Sequence, residues 1–443
     1  MFLVGYDVAG VHRYVFEPVR PVDIFGGSAL LERFAEEAAK VASEKGATAI
    51  YSAGGTGLFL AGTEGAAASL VGRLPEILDG LTAGGARCTV ARVQFRGDFR
   101  ADRRLLADRL RAERFRKALE DPPRVLLPMG TRPAQVCEAC GREGRTVTRR
   151  VGNREEELGP RCQARYMASR GRAPTIAEVL GGDGDDVPRG AVLAAVYVDA
   201  DGLGTQLAEV RSAEELGRFS KQLTHSVQRA VERAIQALAP LPVIQVAVGG
   251  DDALLFCDAA RLPELASALW EVLGHASSEL GVRFSTGVVL GEPFLPLRLY
   301  FAEAEEALRE AKRHSHATGR ACAGVRALMA GTRHGVRGDL LGGPLPQEAF
   351  TGEGGVWRLV ELVRAVGPSQ RAGLGDELAL KSREEAALSV EYRASRDKAV
   401  GEAYLGARNL AELYGVEPLA LLGGALALSA ARERWEPARE GER

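Results

Sequence analysis

Asp199 and the tetrapeptide Gly249-Gly250-Asp251-Asp252 are the residues whose types and spacing best fit chemistry at phosphate. Carboxylates are hard oxygen ligands. Two or three of them on a rigid edge can hold magnesium or manganese, ions that keep several of their waters. Two such ions a few ångströms apart neutralise the charge of an in-line displacement, in which a hydroxyl attacks an α-phosphate and pyrophosphate leaves. Asp199, Asp251 and Asp252 are therefore the candidate catalytic and metal-binding residues. Gly249 and Gly250 allow a tight turn and a close approach of backbone to phosphate, where a Cβ would obstruct. With Asp201 and Gly202 of the stretch Asp199-Ala200-Asp201-Gly202-Leu203, they are candidate substrate contacts. Lys312, far along the chain, has the charge to neutralise a triphosphate. Each feature alone is ordinary. Gly and Asp are preferred turn residues, and Lys or Arg near a helix C-terminus simply favours the dipole. The combination is what points to a site.

The elements that must position these residues follow from hydrophobic spacing. Leu193 to Val198 is an apolar, β-branched run ending at Asp199. Ser212 with Glu215 three residues later reads as a capping box. Leu216, Phe219, Leu223, Val227, Val231, Ile235 and Leu238 then recur at helical spacing. The strands 243–248 and 253–257 flank the Gly-Gly-Asp-Asp turn as a hairpin. A helix over 262–280, a strand over 283–290 and a helix over 302–314 carrying Lys312 and Arg313 follow. The order βαββαβ is that of a ferredoxin-like palm, and it brings Asp199 and the turn to one sheet edge.

The N-terminal stretch repeats this order. A strand over 2–7 runs into Asp7-Val8-Ala9-Gly10-Val11, which lies over Asp199-Ala200-Asp201-Gly202-Leu203. A helix over 28–43, strands over 47–53 and 58–61, a helix over 66–78 and a strand over 87–95 complete it. Gly54-Gly55-Thr56-Gly57 stands where Gly249-Gly250-Asp251-Asp252 stood, without the two aspartates. The first copy is therefore not expected to be catalytic, and it is free to hold a second nucleotide. The alternative is two unrelated βαββαβ units.

The fold class expected is α+β: two ferredoxin-like (βαββαβ) palms, an intervening cysteine-containing insert and a C-terminal helical domain. The boundaries are 1–98 for the first palm, 99–187 for a basic helix, cysteine insert and linker, 188–332 for the second palm and 333–443 for the helical domain. Residues 181–186 read as a glycine-flanked acidic linker, 331–355 as irregular, 357–430 as helical, and 437–443 as a frayed end. Cys137 and Cys140 have the spacing of half a zinc ribbon. Cys162 can supply a third thiolate, but no second Cys-x-x-Cys and no nearby histidine completes the set, so zinc and a metal-free ribbon both stand open. The remaining cysteines, Cys88, Cys257 and Cys322, read as small core residues. The six histidines form no metal-ligand pattern.

Over 443 residues the formal net charge is −2, so no global polycation announces nucleic-acid binding. Six cysteines in so long a chain do not form a disulfide scaffold, which favours a reducing cytoplasm. No apolar run is long enough to span a bilayer.

Taken together, these residues resemble the large polymerase/cyclase subunit of type III CRISPR effector complexes. The opening Asp7-Val8-Ala9-Gly10-Val11, Phe25-Gly26-Gly27-Ser28-Ala29-Leu30-Leu31, the cysteines between two palms, Asp199-Ala200-Asp201-Gly202-Leu203 and Gly249-Gly250-Asp251-Asp252 carry the likeness. The resemblance implies an enzyme that uses ATP with magnesium or manganese to make cyclic oligoadenylate, a second messenger of antiviral defence. In it Asp251 and Asp252 are the metal pair and Asp199 a further ligand. The second palm is also similar to GGDEF diguanylate cyclases, which implies a phosphate-binding role for Lys312 and leaves GTP as an alternative substrate. The partners implied are effector subunits and target RNA, or a second copy in a stand-alone synthetase. A non-catalytic scaffold subunit is the remaining alternative. The chain is short for the family, lacks the fourth ribbon cysteine and has no His-Asp dipeptide, so DNA cleavage by an HD nuclease domain is not expected.

Overall fold

The computed structural model describes residues 1–120, 136–151, 154–169, 173–183, 186–328, 337–351 and 354–433. Gly184 and Asp185 of the expected linker, His334 and the terminal stretch 437–443 lie outside them. The chain divides into two compact units: residues 1–175, 202–228 and 244–252, and residues 176–201, 229–243 and 253–443.

The first part of the chain runs β1 (Phe2–Ala9), α1 (Val11–Val15), α2 (Pro21–Glu44), β2 (Ala47–Ala53), β3 (Thr56–Ala61), α3 (Glu64–Thr82), β4 (Arg87–Gln94) and α4 (Phe99–Glu120). The sheet order is β2-β3-β1-β4, with every pairing antiparallel. Leu3, Val4 and Tyr6 of β1 are all buried because helices cover both faces. Tyr6 meets Phe34 of α2 edge-on at 5.0 Å, whereas a Cβ on Gly5 would meet Leu106 of α4 at 3.0 Å. α2 starts at Pro21, earlier than the expected Ser28. Gly26 and Gly27 weaken local helix propensity, so the sequence pattern hides the first turns.

The insert forms the hairpin β5 (Val147–Val151) and β6 (Arg154–Leu158), then α5 (Pro160–Ser169). α5 packs on α2, and Gly26 is the reason it can: a Cβ there would lie 1.8 Å from the Arg165 carbonyl oxygen.

The second part runs α6 (Ile176–Val179), β7 (Leu193–Asp201), α7 (Leu203–Glu209), α8 (Ala213–Leu238), β8 (Ile244–Gly249), β9 (Asp252–Asp258), α9 (Leu262–Leu280), β10 (Arg283–Gly291), α10 (Leu297–Thr318) and β11 (Cys322–Leu328). β12 (Arg337–Asp339), β13 (Leu345–Pro346) and α11 (Glu348–Thr351) follow. The sheet order is β12-β11-β10-β7-β9-β8, with β13 also on β11. Within it, β8-β9-β7-β10 repeats the N-terminal order β2-β3-β1-β4 strand for strand. β11 is an addition, parallel to β10. The stretch expected to be irregular contains β12 and β13, both paired with β11. Strands of two or three residues are too short to show a period.

The short helix α7 was not expected either. Ser212 Oγ does accept from Glu215 N at 3.1 Å, but the Glu215 carboxylate accepts from Arg211 N at 2.9 Å, so the capping box is displaced by one residue. In the first unit Val210 and Leu216 join a buried cluster with Leu3, Ile50, Leu58, Ala91, Val93, Phe99 and Leu106.

The chain ends in helices α12 (Val356–Arg364), α13 (Pro368–Leu380), α14 (Arg383–Arg396), α15 (Lys398–Tyr414) and α16 (Pro418–Glu433), with α12 packed on α15 and α16. No helix among the described residues is long and apolar enough to cross a membrane.

Candidate functional site

β7 is buried along Leu193 to Val198 and lies between β10 and β9, a position that near-continuous apolar sequence specifies. Side chains alternate along it. Tyr197 meets Phe301 of α10 with ring centroids 5.5 Å apart, so Asp199, two residues on, shares the face that α10 covers. Two glycines set how closely that helix approaches. Gly287 of β10 and Gly324 of β11 are register partners. A Cβ on Gly287 would lie 2.1 Å from Ala304 O, and one on Gly324 2.7 Å from Ala307 O. α10 therefore rests on bare backbone, and Lys312, further along it, reaches the sheet. Its ammonium donates to Asp199 Oδ2 at 2.6 Å and to the carbonyl oxygen of Ala200 at 2.7 Å.

Asp201, on the same face, is buried. Its Oδ2 accepts from Ser285 Oγ at 2.7 Å and Ser315 Oγ at 2.6 Å, while Oδ1 has no hydrogen-bond partner among the described residues. Gly202 then takes the left-handed conformation (φ 66°) and starts α7. The N-terminal copy follows the same local plan: β1 ends at Ala9, Gly10 is left-handed (φ 64°), and α1 begins at Val11.

The turn between β8 and β9 consists of Gly250 and Asp251, and Asp252 is the first residue of β9. Gly250 has φ 75°, the conformation that favours glycine there. Asp251 and Asp252 are both half-buried. In the N-terminal hairpin the turn is Gly54 and Gly55, with φ 58° and 80°, and Thr56 opens β3. The strand ends thus correct the expected overlay by one residue: Gly54-Gly55 stands at Gly250-Asp251 and Thr56 at Asp252. Turn position, not the count of glycines, fixes the register. Asp199 and Lys312 belong to the second compact unit, and residues 249–252 to the first.

The cysteine site is more complete than its sequence. Cys137, Cys140, Cys162 and Glu143 present ligand atoms all within 4.8 Å of one another. Glu143 is the residue that sequence spacing missed, because carboxylates are common and this one follows Cys140 by three. Gly159 makes room for it, since a Cβ there would lie 2.3 Å from Glu143 Cγ. The hydrogen bonds from Cys140 and Cys162 hold the Cys137 thiol well below its usual range, and the same contact with Cys137 pushes Cys140 and Cys162 up. A cation of borderline softness suits three sulfurs and an oxygen this close together. Beside the cluster, buried Arg149 donates to Asp23 of α2 at 2.7 Å and to Glu156 at 2.9 Å, tying hairpin to helix. Buried Arg165 of α5 likewise donates to Glu17 at 2.8 Å.

Residues 192–320 match the family model described as Cas10/Cmr2, second palm domain. No curated protein matches the chain. Among solved structures the fold is similar to the Csm1-Csm4 cassette in its apo form, at 15% identity and TM-score 0.59, over 97% of this chain and 70% of that one. The cassette in complex with cA4 gives 14% identity and TM-score 0.60, over 97% and 69% of the two chains. Csm1 of T. onnurineus gives the same four values. At such identities the likeness is one of fold.

Proposed function

We propose that this chain, whose residues 192–320 carry a Cas10/Cmr2 second palm, is a metal-dependent nucleotidyltransferase of a type III CRISPR effector complex that joins ATP into cyclic oligoadenylate. One observation carries the reading. Two copies share a strand order, a strand-ending left-handed glycine and a two-residue turn, yet only the second places carboxylates at that turn. Both sheets are read as ferredoxin-like palms, in the four-part division 1–98, 99–187, 188–332 and 333–443.

Asp199, Asp251 and Asp252 are assigned the metal. The fit is supported by a cation already held there: Asp199 Oδ2 and Ala200 O both take the Lys312 ammonium. Magnesium or manganese would supply charge neutralisation and activation of the attacking hydroxyl. The chain's own residues do the rest. Left-handed Gly250, with Gly249 and Gly202, is assigned to letting backbone approach the phosphates, and Lys312 offers its charge to the triphosphate. Asp201 is assigned to holding the Asp199 strand end against α10, beneath the substrate. Cys137, Cys140, Cys162 and Glu143 are assigned a zinc ion, a structural role.

The solved cassette with cA4 supports an oligoadenylate product, and its pairing of Csm1 with Csm4 supports a partner subunit of that kind. The terminal helices, with exposed Leu388, Tyr392, Leu405 and Leu413, are the proposed docking element. A reducing cytoplasm fits the free cysteines.

The test is incubation of the full chain, with effector subunits and target RNA, with each labelled nucleoside triphosphate and magnesium or manganese. ATP is expected to give cyclic product. Asp251→Ala with Asp252→Ala should lower it by about a thousandfold, since metal charge neutralisation supplies several kcal/mol. GTP turnover in place of ATP would reassign the substrate, and no product from any triphosphate would leave the scaffold role.

A further inference from the structure

The two palms hold the same ion pair. α4 and α10 each have 22 residues and each follows the last palm strand of its copy. Arg114 and Lys312 occupy the same position counted from the first residue of each helix. Asp7 and Asp199 each stand two residues before the end of their strands. Opposite them across the sheet are Thr89 and Ser285, again equivalent. In the second palm Lys312 pairs with Asp199, and in the first Arg114 pairs with Asp7.

The surroundings of the two pairs differ. Lys312 bonds two oxygens, a carboxylate and the next carbonyl, that a hard divalent ion would also take. Ammonium and metal cannot share them, because like charges a few ångströms apart repel strongly in a partly buried site. Beside Asp7, in contrast, a cavity of about 270 Å³ is lined by Arg103, Arg111 and Arg114; Arg114 pairs with Asp7 itself, while Arg111 pairs with Asp108 and Arg103 donates to the carbonyl oxygen of Leu207. An arginine there is a permanent charge with a rigid fork, whereas lysine is a point charge on a flexible stem.

We infer that the cation on the last palm helix decides whether its palm accepts a metal: Lys312 is a displaceable stand-in that leaves Asp199 only when an incoming triphosphate offers it another anion, and Arg114 is a permanent block at Asp7. The inference rests on the metal assignment above. Metal and nucleotide then bind the second palm cooperatively through Lys312, a positioning residue. Metal alone must expel the ammonium into water. Metal with triphosphate gives that ammonium a partner. The first palm is silent for two reasons, the lack of turn carboxylates and the arginine that occupies its remaining one.

Manganese titration of the full chain tests this, with free ion read by electron paramagnetic resonance, in the presence and absence of a non-hydrolysable ATP analogue. Binding retained by the Asp251→Ala, Asp252→Ala protein is subtracted as background. The wild type should bind manganese about tenfold tighter with the analogue than without, within the usual range of such couplings. Lys312→Met should bind manganese alone about tenfold tighter than the wild type and gain little more from the analogue. Lys312→Arg, which copies the first palm, should bind it more weakly in both conditions. A lysine that only contacts phosphate would leave manganese-alone affinity unchanged in both variants, and that result overturns the inference while sparing the metal site. No manganese above background in any protein, with or without analogue, removes the metal site and this inference together.

Discussion

Asp201 has the type and spacing of a substrate contact, yet the structure gives it two serine hydroxyls and almost no solvent. We therefore propose that its work is internal to the β7 end. Asp201→Ala would strand Ser285 and Ser315 without their acceptor, and hydrogen bonds to a charged group are worth about 1.5–3 kcal/mol each. The expected result is a loss of about 3–6 kcal/mol in chemical denaturation, with KM for ATP unchanged among molecules that remain folded. A raised KM at undiminished stability would return Asp201 to the substrate. The position of Asp199 near the end of a strand was legible at this scale, because the apolar run Leu193 to Val198 leads straight into it. Glu143 was not, since nothing in its local sequence distinguishes it from other glutamates. The reach of Lys312 was also hidden, because it depends on Gly287 and Gly324 lying side by side.

Elements were legible where one face of a long segment is uniformly apolar. The helix expected over 262–280 is α9 at those bounds, whereas α2 lost its first turns to the Gly26-Gly27 pair and β11 to its position outside the βαββαβ order. That glycine pair also supplies a prediction. Gly26→Ala would drive a methyl to 1.8 Å from the Arg165 carbonyl and force α5 away from α2. Overpacking of this kind costs about 1–3 kcal/mol, and faster proteolysis within the insert would report it. Gly27→Ala meets its nearest atom at 3.5 Å, an ordinary contact. It gains roughly 0.5–1 kcal/mol of helix propensity, so its melting temperature should hold or rise. Equal effects from the two substitutions would contradict the packing described.

For the whole molecule the sequence reads as parts in succession, while the compact units interleave. Residues 202–228 and 244–252 belong with the N-terminal unit, and Val210 and Leu216 fill a core begun by Leu3 and Ile50. Hydrophobic periodicity shows that a helix has an apolar face but not which distant surface covers it, so this exchange was not readable from the chain. A cut at the expected linker should therefore fail. A fragment of residues 1–187 would open the Leu3–Ile50–Leu106 cluster to water, and strong binding of a hydrophobic dye with lost near-ultraviolet dichroism is the expected outcome. A fragment that melts cooperatively without dye binding would show that the first palm needs nothing downstream.

The Arg149 pairing also has a consequence in time. Asp23 is translated 126 residues before the guanidinium that meets it. At about 5–20 residues per second, the carboxylate emerges roughly 6–25 s ahead of its partner. A buried charge without its counter-ion is strongly destabilising, so on the ribosome that end of α2 stays wet until the β5–β6 hairpin appears. The N-terminal sheet and its helices thus complete their packing only after their own synthesis has ended, and the β5–β6 hairpin sets the clock.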